Sequence, residues 1–165
     1  MISEKIVKAF NEQIKHELES SYLYLSMAAY FHAEGYDGMA QWMKAQAQEE
    51  EMHAMKFFDH LRGRDGRVEL YALAQPQKEW ASPLEAFKAA YEHEKFITSK
   101  IDELVKLAQE EEDYPASIML QWFVEEQVEE ETSTSEIVKM LERIGDAGHA
   151  VVMLDRELGN RQAVQ

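Results

Sequence analysis

What most constrains this chain is where its helix breakers fall. Glycine costs helix stability and proline removes a backbone donor, so segments free of both are where long helices can form. The seven glycines and three prolines sit at Gly35, Gly38, Gly63, Gly66, Pro76, Pro83, Pro115, Gly145, Gly148 and Gly159. Between them lie four long blocks, roughly 4–33, 38–62, 83–111 and 115–143, and a shorter fifth near 146–158. Local chemistry agrees on the starts. Ser82-Pro83-Leu84-Glu85 reads as a capping box with proline at the first helical position, and Asp113 precedes Pro115 in the same sense. The alternating stretch from Arg67 to Leu73 reads as a short extended piece inside the only long connection, of about 20 residues. Extended, that connection reaches roughly 65 Å, whereas the second helix is roughly 38 Å long. The second and third helices can therefore lie parallel, while the short links force antiparallel neighbours. The expected fold class is all-α, one domain over residues 1–165: a four-helix bundle with one long crossover and a short fifth C-terminal helix.

Charge and cysteine content narrow the function. Lys and Arg number 17 against 32 Asp and Glu, a formal net charge of −15 that repels phosphate backbones and anionic headgroups. Neither nucleic acid nor a membrane is an expected partner. The absence of Cys excludes disulfides, thiolate nucleophiles, Cys-ligated zinc and iron–sulfur clusters. Metal chemistry then falls to carboxylates and imidazoles. Met1 to Lys5 has no basic patch leading into an apolar run, and no stretch approaches about 18 uninterrupted apolar residues. The expectation is an unexported, cytoplasmic protein. The acidic run Glu110-Glu111-Glu112-Asp113 reads as a solvated helix end.

Each long block carries an apolar stripe at alternating three- and four-residue spacing, broken near its middle by an acid. The first includes Phe10, Ile14, Glu17, Ser21, Tyr24 and Ala28, and the second Met43, Ala47, Glu50, Ala54 and Phe57, with His53 one turn beyond Glu50. The third includes Phe87, Tyr91, Glu94, Thr98 and Ile101, and the fourth Leu120, Phe123, Gln127, Glu130 and Thr134. Because the acids stand near the midpoints, they meet at one level whichever way each helix points. Burying several like charges is unstable without compensation, and no Lys or Arg occupies the stripes at that level. Two divalent cations would balance four carboxylates. One imidazole among several carboxylates favours iron or manganese over a tetrahedral zinc site. The expectation is a dinuclear metal site.

Through Glu17, Glu94 and Glu50-Glu51-Met52-His53 the chain resembles the ferritin family, over essentially all 165 residues. Ferritin-like di-iron proteins are the standing example of such inward-facing ligands: one Glu from each of two helices and Glu-x-x-His from each of the others. The fourth helix departs from that symmetry. Its Gln127-Val128-Glu129-Glu130 looks like the non-haem ferritins of bacteria and archaea. The resemblance implies oxidation of Fe(II) by O2 or H2O2 inside the bundle and storage of the ferric product in a hollow homo-oligomeric shell of 24 subunits. It implies one iron at Glu17, Glu50 and His53, and a second, more weakly held, at Glu50, Glu94 and Glu130. Gln127 is then a hydrogen-bonding group or weak ligand. Glu49, Glu126, Glu129 and Glu130 match the third iron site of prokaryotic ferritins, and Tyr24 matches the family's redox-active tyrosine. Trp122 reads first as buried packing, Tyr91 as hydrogen-bonding a ligand, and His16, His32, His60, His93 and His149 as structural or exposed. Where animal ferritins place channel acids, this chain has Ser117 and Leu120.

Bacterioferritins carry a haem-ligating Met directly after the second-helix glutamate. Here Glu51 holds that position and Met52 is rotated roughly 100° further round the helix, so no haem is expected. The alternatives are a bacterioferritin-like protein, a di-iron oxidase or peroxidase without storage, and a metal-free helical interaction module.

Overall fold

Among the described residues, five helices form where the breakers leave room: α1 (Glu4–Ala33), α2 (Asp37–Gly63), α3 (Pro83–Glu110), α4 (Tyr114–Ile144) and α5 (Gly148–Leu158). The computed structural model describes residues 1–162; positions 163–165 of the expected domain lie outside the described residues. Three starts are capped from within. Ser3 Oγ accepts from the Ile6 amide at 3.3 Å, Ser82 Oγ from Glu85 at 3.2 Å and Asp113 Oδ1 from Ala116 at 3.0 Å. α5 starts two residues later than expected, because Gly145 ends α4 with φ at +56°, in the left-handed region.

The core is two apolar clusters separated by a polar waist. One joins the C-terminal half of α1 (Tyr24, Phe31), the N-terminal half of α2 (Met39, Met43), the start of α3 (Phe87), the end of α4 (Ile137, Leu141) and α5 (Leu154). The other joins the start of α1 (Phe10, Ile14), the end of α2 (Phe57, Leu61), the end of α3 (Ile101, Ala108) and the start of α4 (Leu120, Phe123). α2 and α3 therefore run in the same direction, opposite to α1 and α4, as the long connection allows.

That connection forms no strand. With no strand among the described residues to pair with, its backbone bonds to α1, where buried Asn11 donates to the Arg67 carbonyl and accepts from the Glu69 amide, each at 2.9 Å. No helix among the described residues is long and apolar enough to cross a membrane.

α5 is held to the start of α2 by a cap from far along the chain. Tyr36, at the N-cap of α2, makes no side-chain capping bond; Asp155 Oδ1 instead accepts from the Met39 amide at 2.8 Å. The approach is close enough that a Cβ on Gly38 would fall 1.7 Å from the Asp155 carbonyl oxygen.

Candidate metal centre

At the waist Glu17, Glu50, Glu94, Glu130 and His53 are all buried, each no more than 3 % exposed. Helical periodicity brings them there: each replaces an apolar residue of the stripe that its helix turns inward. Two triads of ligand-type atoms lie within 4.8 Å of one another, Glu17–Glu50–His53 and Glu50–Glu94–Glu130. Glu50 belongs to both. His53 Nδ1 is 3.2 Å from Glu50 Oε2 and 3.8 Å from Glu17 Oε2, while its Nε2 is 3.7 Å from Glu126 Oε1. A third triad, His53–Glu126–Glu130, follows from that contact.

Buried amides orient the acids. Gln13 Nε2 donates to Glu17 Oε1 at 2.8 Å, and Gln46 Nε2 donates to both Glu50 Oε1 at 3.0 Å and Glu130 Oε2 at 2.6 Å. Gln127 Nε2 faces Glu94 Oε2 at 3.2 Å, and the Tyr24 hydroxyl donates to Glu94 Oε1. Sequence reading missed Gln13 and Gln46, although each stands four residues before its glutamate, a spacing that puts both side chains on one helix face.

Burial and mutual repulsion push most of these acids toward their protonated forms. Burial, then the charge of Glu50, raises Glu17 well above the usual carboxylate range. Burial and Glu50 also raise Glu130 well above that range and push Glu94 to about 8. Burial opposes charge on Glu50 too, but the hydrogen bond and charge of His53, together with the Glu17 and Gln46 hydrogen bonds, outweigh it and lower its pKa. Burial disfavours the His53 cation, yet Glu126 and Glu50 overcome it and raise the ring to about 11. Even so, Glu17 Oε2 and Glu130 Oε1 are buried with no hydrogen-bond partner. Each is a carboxylate oxygen that a bound cation would satisfy.

Beside the waist, Glu49, Glu126, Glu129 and Glu130 line a cavity of about 260 Å³ with Trp42, Ser133 and Arg161. All four residues expected at a third site are thus brought together. Arg161, which no sequence signal placed there, binds Glu49 Oε2 through Nη2 at 2.8 Å.

Other expected residues fall elsewhere. Trp122 is 37 % exposed rather than buried, packing edge-on to His53 under the Lys56 ammonium. Tyr91 packs beside the cluster of Phe31 and Phe87 beneath Lys95 and makes no hydrogen bond to an acid of the centre. Leu120 lies fully buried in the cluster of Phe10 and Phe57, where it cannot line a channel, because its stripe faces the core. His93 bonds Ser20 Oγ at 2.7 Å, His32 pairs with Asp37, His60 meets Arg64, His16 packs on Phe96 and His149 is exposed.

The fold and the waist together define a four-helix-bundle carboxylate protein whose Glu and His groups could hold metal ions. Comparison with known proteins agrees with that class. The Ferritin-like domain model matches residues 7–144. A bacterial non-haem ferritin of Bacteroides fragilis is 44 % identical over 161 residues, 98 % of this chain and 100 % of that one. A probable bacterial non-haem ferritin-like protein of Haemophilus influenzae is 42 % identical, covering 97 % of each chain. The solved open-pore ferritin of the archaeon Archaeoglobus fulgidus is 52 % identical with a TM-score of 0.97, covering 98 % of this chain and 100 % of that one. This chain belongs to the ferritin family, on its non-haem side.

Proposed function

We propose that the protein is a cytoplasmic iron-storage ferritin whose substrate, Fe(II), is oxidised at the bundle waist and stored as ferric mineral in a shell of 24 subunits. The observation that carries this reading is the pair of orphaned buried oxygens, Glu17 Oε2 and Glu130 Oε1, within two acid triads that share Glu50. Glu17, Glu50 and His53 hold one Fe(II); Glu50, Glu94 and Glu130 hold the other. Each ion surrenders one electron to O2 or H2O2. Glu17, Glu94, Glu130 and His53 give up their protons as iron binds, which leaves four carboxylates and a neutral imidazole matched to two dications. The second triad has no imidazole, so it holds iron less firmly and suits a centre that turns its product over. Gln127 and Tyr24 both donate to Glu94, and Tyr24 is positioned to supply a further electron to the same centre. Glu49, Glu126, Glu129 and Glu130 form a third iron site on the way out. No haem takes part, since Glu51 stands where the haem-ligating Met of bacterioferritins would be.

Stopped-flow optical mixing of Fe(II) with O2 tests the reading. Oxo-ferric absorption should grow rapidly in the native protein and slow at least about a hundredfold in Glu50→Ala, because that substitution breaks both triads. Wild-type rates in the variant would refute the assignment, and a Soret band in the isolated protein would refute the absence of haem.

A further inference from the structure

We infer that Arg161 is a tethered counter-cation that holds Glu49 and competes with metal ions for the acidic cavity beside the bundle waist. The inference rests on the metal-handling reading of that cavity. Arg161 is not a loose end. The turn after α5 is closed by bonds from the Gly159, Asn160 and Arg161 amides to the Asp155, Glu157 and Leu158 carbonyls, and Gly159 packs on Gly38 at the start of α2. From that fixed turn the guanidinium lies 4.5 Å over the Trp42 ring, donates through Nη1 to the Trp42 carbonyl at 3.5 Å and through Nη2 to Glu49 at 2.8 Å. Stacking, carbonyl and carboxylate fix three sides of the group, and its charge stands on the wall of a cavity whose other charged lining residues are acids.

Glu130 lines the cavity and keeps Oε1 buried without a partner, while Glu49, another lining acid, is occupied by Arg161. A cation entering must draw Glu49 from the guanidinium or bind beside a fixed positive charge. Because a guanidinium does not deprotonate in proteins, that competition persists at every working pH. Arg161 thereby holds the cavity's affinity down, keeping it a place through which metal passes rather than one in which it is trapped. Glu126 touches both the cavity and His53 Nε2, so metal released from the waist meets the cavity through one shared side chain.

Terbium(III) alone is the probe, added to the assembled protein, with tryptophan-sensitised emission read from Trp42. Glu49→Gln identifies the part of the emission that belongs to the cavity. The midpoint of that component should fall on the order of tenfold in Arg161→Gln, while Arg161→Lys, which keeps the charge, stays near the native value. A midpoint in Arg161→Gln that is unchanged or higher overturns the inference, because a merely structural arginine would leave affinity alone or support it. An equal gain in Arg161→Lys also overturns it. Emission insensitive to Glu49→Gln would remove both the inference and the third-site reading, yet leave Glu50-dependent oxidation standing as a separate test of the waist.

Discussion

His53 and the three proton-bearing acids around it set how the centre responds to pH. Burial and the charge of Glu50 push Glu94 up to about 8 from the usual 4.5, and Glu126 and Glu50 raise His53 to about 11 from 6.5. Between each pair of values the folded chain holds a proton that the unfolded chain releases. Stability of the chelator-stripped protein should therefore fall as pH rises from 4.5 through 8 for Glu94, and from 6.5 upward for His53. Glu50 acts oppositely, but only below the usual carboxylate range, because its pKa is lowered. Urea denaturation at pH 5 and pH 8 should show a loss on the order of a few kcal/mol at the higher pH, and a saturating divalent ion should abolish it. A stripped protein that becomes more stable toward pH 8 would contradict this. The five waist residues were legible in the sequence because depth and phase can be counted along a helix. Gln13 and Gln46 stand four residues before their glutamates, but an uncharged amide in a stripe gives no sign of the acid it binds. Arg161 was not legible at all, since nothing periodic tells where a chain returns after its last helix.

At the scale of elements, the breaker positions were enough to place all five helices to within two residues, and the long link was enough to set α2 parallel to α3. What the sequence hid was the cap of α2, because its acceptor is Asp155, 116 residues beyond the amide it binds. Asp155→Ala should cost about 1 kcal/mol in thermal unfolding and speed hydrogen exchange at the Met39 amide. Gly38→Ala should do more, displacing α5 outright, since its Cβ has no room beside the Asp155 carbonyl. Unaltered exchange in both variants would show that α5 does not depend on this seam.

The whole molecule is a bundle cut at half height by acid, an arrangement that weakens the core unless cations complete it. Assembly was the least legible level, because one chain's stripes describe its own interior and not the contacts between copies. Native mass spectrometry should find 24 subunits, and a smaller closed oligomer would leave the waist intact while overturning the shell. The central claim concerns the waist itself, and anomalous diffraction at the iron edge from crystals exposed anaerobically to Fe(II) tests it most directly. Two peaks are expected, one among Glu17, Glu50 and His53 and the other among Glu50, Glu94 and Glu130. Density with no anomalous signal between those side chains, at full iron loading, would contradict it.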